Sequence, residues 1–291
     1  MANDTTTNRL AVAMIGLGHM GGHMCDHVTA AGHDVRAFDL SEVALDERVA
    51  AGATRATSPA DAATGADMVG IVVINDAQVR AVLGGPDGVL AAARPGVVIA
   101  VHSTVNVEAI HEFAAMADAV GAHLIDAGIS GGEVGSRAGT LVTMVGGEPG
   151  VVATARPVLE TFSKEVVHAG PLGSGMALKI ARNLVGYIMM TAVHEGMLLA
   201  RASGVDLADL EHVLHETNMD AQVYAPFAFG GPEPLGADAP AEQRTFMAEV
   251  VALGEKDLDN ALELSRTHGV SLPMTAETRR QFDAVMRSPR S

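Results

Sequence analysis

The sequence has few of the residues on which several classes of protein depend. Its one cysteine, Cys25, excludes a disulfide within the chain, which is typical of a reducing compartment, so we expect a cytoplasmic protein. With no tryptophan and only 3% aromatic residues, it offers little for platforms on which bases or sugars stack. No apolar run reaches the roughly 20 residues of a membrane-spanning helix, and the polar start, with an acid at Asp4, is unlike a signal peptide. We therefore expect no membrane partner.

Positive charge is scarce as well. The chain has 19 Lys and Arg against 35 Asp and Glu, which gives a formal net charge of -16. Such a charge repels phosphate backbones and argues against nucleic-acid binding through a broad basic surface. An anionic small molecule would have to be bound by local positive groups.

The first half of the chain alternates short apolar runs with helical patterns. The runs have the length of buried parallel strands, and they cover residues 10–15, 35–38, 69–74, 97–101, 123–125, 140–145 and 165–168. Strands separated by helices predict an α/β fold with a doubly wound parallel sheet.

After Gly170 the strand patterns stop. Residues 173–202 indicate one long helix, and helical patterns continue to the end of the chain, interrupted by a Gly- and Pro-rich loop at 226–240. We therefore place a domain boundary near residue 169. Residues 1–169 would form the sheet domain and residues 170–291 an all-helical domain, with the long helix between the two.

A glycine-rich loop follows the first predicted strand. Its residues are Gly16, Leu17, Gly18, His19, Met20 and Gly21. In the Rossmann dinucleotide motif the first glycine permits a tight turn, the second admits the pyrophosphate, and the third lets the helix pack on the sheet. The start of that helix offers free N–H groups to the phosphates. The alternative is a Rossmann-like domain that has the glycine turn but binds no cofactor.

An acid ends the second predicted strand. Asp39 lies 18 residues beyond Gly21, close to the spacing of about 20 at which a carboxylate binds the ribose of NAD. It would repel the 2′-phosphate of NADP, and Leu40 offers no guanidinium, so we expect NAD rather than NADP. Asn75 follows a later strand, at the edge of the sheet where cofactors bind, although it could equally belong to an ordinary surface loop.

A lysine in the long helix suggests chemistry. Gly175, Lys179 and Asn183 are spaced by four residues, which places them on one helical face. Gly175 would leave room for a ligand beside Lys179 and Asn183. A lysine can exchange a proton when it is partly desolvated. The alternative is a solvated lysine on the surface of a helix.

Four ordered segments together resemble the β-hydroxyacid dehydrogenase family, which includes 3-hydroxyisobutyrate dehydrogenase and tartronate semialdehyde reductase and is related to 6-phosphogluconate dehydrogenase. They are the glycine loop, residues 126–147, residues 173–183 and residues 256–262. The resemblance implies an N-terminal Rossmann domain and an all-helical domain with a substrate cleft between them. It also implies hydride transfer between NAD and a small β-hydroxy acid or its semialdehyde, and a homodimer or homotetramer assembled through the helical domain.

The resemblance assigns roles to particular residues. Lys179 would be the general acid or base that exchanges a proton with the reacting oxygen, and Asn183 would orient the substrate. The turn formed by Ser130, Gly131 and Gly132 would bind the substrate carboxylate, although it could be only a turn after a strand that ends at residue 125.

Two further positions are implied at the cofactor. Thr104, of a Ser-Thr pair, would lie near the nicotinamide and touch both cofactor and substrate. The family often has an acid at the place of Val101, so the hydrogen bonding around that pair is open. Lys256 would reach the cofactor, or else form an exposed ion pair with Asp257.

Three other features or functions fit parts of the sequence less well. His19, His23 and His27 are spaced by four, but a metal at the first would compete with the pyrophosphate, so we expect a helix face and no metal. An imine reductase would share the architecture, although such enzymes commonly have Asp or Tyr in place of the lysine. A cofactor-binding sensor without turnover is the alternative from another class.

Overall fold

The computed structural model describes residues 9–219, 235–236 and 239–286. Its first part is built on one sheet of eight strands with helices on both faces, which confirms the predicted fold class. The strands are β1 (Ala11–Ile15), β2 (Asp34–Phe38), β3 (Thr54–Arg55), β4 (Met68–Ile71), β5 (Val98–Val101), β6 (His123–Ser130), β7 (Leu141–Gly146) and β8 (Ser163–Gly170).

The strand order across the sheet is β3-β2-β1-β4-β5-β6-β7-β8. Neighbouring strands run parallel, except that β6 and β7 are antiparallel. The doubly wound sheet is thus mostly parallel, as predicted, with one antiparallel pair that the sequence did not indicate. Only residues 131–140 separate β6 from β7 along the chain, which is too little for the crossover that a parallel connection needs.

The helices of the described residues cover the sheet and then continue to the end. They are α1 (Gly21–Ala30), α2 (Glu42–Ala50), α3 (Pro59–Ala63), α4 (Asp76–Leu83), α5 (Val89–Ala92), α6 (Val107–Asp118), α7 (Gly132–Ala138), α8 (Pro149–Phe162), α9 (Ser174–Ala202), α10 (Leu207–Glu216), α11 (Ala241–His268) and α12 (Pro273–Val285). The long helix predicted at 173–202 is confirmed by α9, and everything described after it is helix or connecting segment.

Two apolar layers enclose the sheet. Strands β4 and β5 are buried along their whole length, as expected for strands covered on both faces. Met24 of α1 and Phe162 of α8 belong to one layer, while Phe113 of α6 belongs to the other. Both phenylalanines are fully buried, so truncating either to alanine would cost about 3–5 kcal/mol. The sheet is therefore packed against apolar side chains on both faces.

Two strand ends differ from the sequence prediction. The strand predicted at 69–74 ends at Ile71, and Ile74 is exposed. The strand predicted at 123–125 continues to Ser130, because the added residues pair with β7. The reading of Ser130 as part of a turn after residue 125 is therefore wrong, since Ser130 is the last residue of β6.

By its contacts the chain divides into two units, the first ending at Asn183 and the second beginning at Leu184. The first turns of α9 thus belong with the sheet, and the boundary near residue 169 stays a prediction. In the second unit, the carboxylate of Glu195 accepts hydrogen bonds from the backbone N–H groups of Met274 and Thr275, at 2.6 and 2.8 Å. It thereby caps the start of α12.

A small apolar cluster completes the second unit, formed by Met247, Val251 and Met286. Most of the loop predicted at 226–240 lies outside the described residues. Within the described part of the chain, no helix is long and apolar enough to cross a membrane.

Candidate functional site

The three glycines of the loop after β1 have three different environments. Gly16 has a φ of +88°, and a side chain there would overlap the carbonyl of Val72. A side chain at Gly21 would overlap the carbonyl of Gly16, so this glycine allows α1 to pack closely. Gly18 has no atom within 4 Å of the place where its Cβ would stand. The loop therefore turns tightly, packs closely and leaves an open approach to its backbone, as the dinucleotide motif requires.

The neighbours of the glycines contribute differently. Leu17 is buried in the core, so its side chain is not available to a ligand. His19 is exposed beside Gly18. The carbonyl of Met20 accepts a hydrogen bond from the hydroxyl of Ser136 at 2.8 Å. That bond ties the loop to α7.

Asp39 lies at the end of β2, facing the glycine loop. Its Oδ2 accepts a hydrogen bond from the N–H of Leu17 at 2.6 Å, and its Oδ1 accepts one from the N–H of Ser41 at 2.7 Å. A cavity of about 310 Å³ opens beside this carboxylate, and its lining includes Gly16, Gly18, Asp39, Leu40, Ile74 and Gln78. Its size and its mostly apolar walls suit one half of a dinucleotide.

Asn75 is the last residue of the segment that joins β4 to α4. It is the N-cap of α4, where its Oδ1 accepts the N–H of Gln78 at 3.0 Å. The side-chain oxygen of Gln78 in turn accepts the N–H of Ile74, the residue before the cap, at 2.8 Å, an arrangement that resembles a capping box. The cavity is lined by Gln78 rather than by Asn75. The Asn-x-x-Gln spacing was the signal by which the sequence could have shown this arrangement.

The two residues of the Ser-Thr pair after β5 differ in exposure. Ser103 is buried, and its hydroxyl accepts a hydrogen bond from the N–H of Val73 at 2.9 Å. This bond joins the segment after β5 to the wall of the cavity. Thr104 is exposed and so remains accessible to a ligand.

Lys179 lies on α9 against the bare backbone of β6. It is only 9% exposed, so the reading of a solvated surface lysine is wrong. A Cβ on Gly128 would stand 2.9 Å from the Cβ of Lys179. Burial, and secondarily the nearby charge of Arg182, lower the pKa of the Lys179 ammonium. An amine of this kind can hold or release a proton more readily than a solvated lysine.

The start of α9 is anchored by a buried acid. Asp126 of β6 is fully buried and accepts hydrogen bonds from the N–H groups of Gly173 and Met176 at 2.7 and 2.5 Å. Burial raises the pKa of this carboxyl, and the hydrogen bonds from the backbone oppose the rise. Gly175 lies directly on the backbone of Met144 and Gly146. The expectation that Gly175 leaves room for a ligand is therefore wrong, because it serves close packing of helix on sheet.

The segment Ser130, Gly131 and Gly132 joins the end of β6 to α7. Gly131 and Gly132 have φ values of +135° and +61°, conformations that favour glycine. Because side chains alternate along a strand, Ser130 shares a face with Gly128 and Asp126. The turn thus begins on the face that carries Lys179.

The histidines of α1 are used for packing. Nε2 of His27 donates to the carbonyls of Ser136 and Arg137 at the end of α7, 3.1 Å from each. His23 is 4.0 Å from Asp26. Among the residues that the structure describes, no group of three or more His, Cys, Asp or Glu side chains could hold a metal ion. Cys25 is buried, and burial raises the pKa of its thiol to about 12.

Two predicted site residues remain apart from this geometry. Asn183 is half-buried, with its Oδ1 3.5 Å from the guanidinium of Arg182. Lys256 lies within α11, and its side chain is outside the described residues, as is that of Asp257. The contact of Lys256 with a cofactor stays a prediction.

Sequence families match nearly the whole chain. Residues 11–170 match the NAD-binding domain of 6-phosphogluconate dehydrogenase. Residues 173–290 match the family described as "NAD-binding of NADP-dependent 3-hydroxyisobutyrate dehydrogenase".

Individual proteins are similar over most of their length. An NAD-dependent L-serine dehydrogenase of Pseudomonas aeruginosa is 35% identical over 269 residues, which cover 90% of this chain and 88% of that protein. A 3-hydroxyisobutyrate dehydrogenase of the same organism is 35% identical over 274 residues, which cover 93% and 90%.

Solved structures agree with the sequence families. An oxidoreductase from Mycobacterium avium 104 has a TM-score of 0.86 at 35% identity, covering 97% of this chain and 100% of that one. The 3-hydroxyisobutyrate dehydrogenase of Mycobacterium tuberculosis, crystallised with L-serine, has a TM-score of 0.68 at 30% identity, covering 97% and 96%. An imine reductase of Streptomyces aurantiacus, with a TM-score of 0.76 at 20% identity and coverage of 95% and 96%, shares the fold alone.

Proposed function

The chain belongs to the β-hydroxyacid dehydrogenase family, and from that premise we propose that it transfers a hydride between NAD and a small β-hydroxy acid, with Lys179 as general acid–base. Family membership makes it an oxidoreductase with an NAD(P)-binding domain. The choice of dinucleotide, the substrate and the role of the lysine are the proposal.

The buried amine of Lys179 carries the mechanism. Oxidation of an alcohol requires a base for the hydroxyl proton while hydride leaves the adjacent carbon, and the dinucleotide supplies the hydride acceptor. Because burial lowers the pKa of Lys179, its neutral form is accessible nearer to neutral pH than that of a solvated lysine. In oxidation the amine takes the hydroxyl proton, and in reduction the ammonium returns it to the carbonyl oxygen.

The register of helix on strand supports a substrate site beside the lysine. Asp126, earlier on β6, contacts the start of α9, and Gly128 contacts Lys179, so strand and helix run in the same direction. Two more residues of strand advance about 6.6 Å and four more residues of helix about 6 Å. From Gly128 that step leads to Ser130 on the strand, and from Lys179 it leads to Asn183 on the helix.

These neighbours suit a carboxylate and a hydroxyl. The Ser130 hydroxyl and the backbone N–H groups of Gly131 and Gly132 would bind the carboxylate, as consecutive N–H groups in a glycine turn bind anions. The amide of Asn183 would orient the substrate and stay neutral throughout. Thr104, exposed beyond Ser103, would contact the nicotinamide end.

The charges around Asp39 support NAD over NADP. The Asp39 carboxylate lines the cavity where the ribose would bind, and Leu40 follows it. Arg55, a cation of the neighbouring strand, already pairs with Glu42 and Asp46. The 2′-phosphate of NADP would therefore lie near acids, and near an arginine whose charge is already paired. The open backbone at Gly18 suits the pyrophosphate, and His19, Met20, Asn75 and Lys256 remain proposed contacts of the cofactor.

The relatives narrow the substrate class. L-Serine and 3-hydroxyisobutyrate, named for the relatives, both have a primary hydroxyl β to a carboxylate and differ in the small group at the carbon between. We place this chain's substrate in that class, small enough for one carboxylate turn and one amine to engage both ends.

A homodimer or homotetramer is proposed as well. Several large apolar side chains of α9 in the second unit are exposed, at positions Leu184, Val185, Ile188, Val193 and Met197. Several exposed large apolar side chains along one helix are typical of an interface. Light scattering of the purified protein measures the mass directly, and a monomer at micromolar concentration would contradict the proposal. Cytoplasmic location stays a prediction from the single cysteine.

A panel assay tests the function. Reduction of NAD and of NADP is followed with L-serine, 3-hydroxyisobutyrate and related β-hydroxy acids. We expect turnover of at least one such acid, with a higher kcat/KM for NAD than for NADP. Dinucleotide binding without turnover of any of them would favour the sensor, and reduction of imines alone would favour an imine reductase.

A further inference from the structure

A buried histidine next to the site has no part in the proposed chemistry. His102 follows β5 directly and is only 2% exposed. Its backbone N–H donates to the carbonyl of Ile71 at 2.9 Å, so the main chain here still follows β4. The side chain, however, is directed toward β6.

The side chain continues the hydrogen bonding of the sheet where the backbone stops. Val101 and Asp126 are the last paired residues of β5 and β6. The next carbonyl of β6 on this side, that of Ala127, lies 2.8 Å from Nδ1 of His102. Because a carbonyl oxygen only accepts, Nδ1 carries the proton and donates it. His102 therefore takes the place of a strand residue beside Ala127.

Apart from Nδ1, the His102 ring has apolar contacts. Its edge meets the ring of Phe162 at 5.7 Å between centroids, and a Cβ on Gly70 would stand 3.6 Å from Nε2. Within the part of the chain that the structure describes, Nε2 has no hydrogen-bond partner. Burial lowers the pKa of His102 to about 4, so the ring is neutral and its single N–H goes to Ala127.

The unpaired Nε2 is unfavourable, and this cost offsets the stability that the hydrogen bond to Ala127 contributes, so the ring adds little net stability. The hydrogen bond to Ala127 therefore needs another reason. The carbonyl of Ala127 belongs to the peptide that leads into Gly128, and Gly128 is the backbone on which the stem of Lys179 rests. His102 and Lys179 therefore contact the same peptide, the one between Ala127 and Gly128, from opposite sides. The His102 ring lies in the layer of Phe162, and Lys179 lies on the other face of the sheet.

We infer that His102 is a positioning residue for Lys179, because its hydrogen bond to Ala127 fixes the peptide that carries Gly128. The inference rests on the proposed function for its effect on turnover. A shift of about 1 Å in a reacting group can cost about 100-fold in rate, so a freed peptide should lower kcat and leave dinucleotide binding unchanged.

Three substitutions separate positioning from mere packing. His102→Asn places an amide N–H near the position of Nδ1, whereas His102→Gln places it near the position of Nε2, and His102→Leu has no donor. We expect kcat to fall about 10- to 100-fold in the Gln and Leu variants, with the Kd for NAD unchanged. The Asn variant should recover most of the rate. The Leu variant should melt close to the wild type, because it removes the unpaired Nε2 but leaves the carbonyl of Ala127 unpaired.

A second readout is independent of turnover. Acetylation of Lys179 by acetic anhydride is followed by peptide mass spectrometry, with exposed Lys164 as the internal control. We expect the rate at Lys179 to change in the Leu and Gln variants but not in the Asn variant, while Lys164 stays constant.

The outcomes are distinct. Wild-type kcat and wild-type Lys179 reactivity in the Leu and Gln variants would overturn the inference. Equal loss in all three variants, in parallel with their melting temperatures, would show a packing role and would overturn it too. A wild type that turns over no β-hydroxy acid contradicts the proposed function instead, and the acetylation rates then still decide the positioning of Lys179.

Discussion

The Cβ of Lys179 lies 2.9 Å from the place that a Cβ on Gly128 would occupy, so the stem of the lysine rests on bare backbone of β6. Two residues earlier on the same strand, Asp126 accepts the N–H groups of Gly173 and Met176 at the start of α9. One strand thus anchors the helix and sets the depth of its lysine. The amine is positioned by the sheet rather than by a loop.

Gly128→Ala tests this contact. A methyl group 2.9 Å from the Cβ of Lys179 is closer than the roughly 3.5 Å of favourable carbon contact, so the lysine must move. We expect kcat to fall about 10- to 100-fold, with the Kd for NAD unchanged in fluorescence titration. Gly196→Ala, also on α9 but with no atom within 4 Å of its Cβ position, should leave kcat as it is. A Gly128→Ala enzyme with wild-type kcat would show that the contact does not position the amine.

Asp39→Ala tests the choice of dinucleotide. Its carboxylate would accept the ribose hydroxyls of NAD, and hydrogen bonds to a charged group contribute about 1.5–3 kcal/mol. We expect the ratio of kcat/KM for NAD to that for NADP to fall by at least about tenfold. Asp34→Ala, at the opposite end of β2, should leave the ratio unchanged. A wild type that prefers NADP would contradict the assignment directly.

The pH dependence of stability should report the buried ring of His102. Its pKa is lowered from 6.5 to about 4 in the folded protein, and the ring's described neighbours Ala127, Phe162 and Gly70 do not titrate. Protonation therefore favours unfolding: the stability is complete above pH 6.5 and is lost as the pH falls toward 4. The loss should reach about 2 kcal/mol near pH 5.

Urea unfolding of the wild type and of His102→Leu, each near pH 7 and near pH 5, measures that loss. The variant lacks the titrating ring, so its free energy of unfolding should fall by about 2 kcal/mol less over this range. Equal losses in the two proteins would mean that the ring accepts a proton without unfolding.

Much of the site could be predicted because its signals are local. The glycine loop lies within one turn, and Lys179 and Asn183 lie within one helix, where spacing determines which groups share a face. Asp39 follows the next strand of the same Rossmann unit. The strand, glycine and helix of a Rossmann unit are likewise adjacent in sequence. In these elements the structure arranges the residues as the dinucleotide motif requires.

The remainder depends on contacts between distant residues. Strand β6 continues to Ser130 because β7 pairs with it in the antiparallel direction, which no local pattern indicates. The bare surface at Gly128 has meaning only once α9 lies on it. His102 likewise has a role only when β6 extends past the end of β5. The prediction for Gly175 fails for the same reason, since its lack of a side chain allows contact with the backbone of β7.

The charge of Arg182 should be visible in the pH profile of oxidation. Burial, and secondarily Arg182, lower the pKa of Lys179, and the base must be neutral to accept the proton. The rate of oxidation should therefore rise with pH, with a midpoint below the ordinary lysine value of 10.5. Arg182→Gln removes the repelling charge and should move the midpoint upward. Arg182→Lys keeps the charge and should leave the midpoint where it is in the wild type. A midpoint that is the same in all three proteins would argue that another group titrates.

Lys179→Ala measures the central claim most directly. In single-turnover oxidation of a β-hydroxy acid by NAD, the variant should be slower by about 100-fold or more, the usual contribution of a general acid–base group. Its Kd for NAD should be nearly that of the wild type. Lys164→Ala, which removes an exposed lysine of β8, should react at the wild-type rate. A Lys179→Ala protein that also reacts at the wild-type rate would contradict the mechanism.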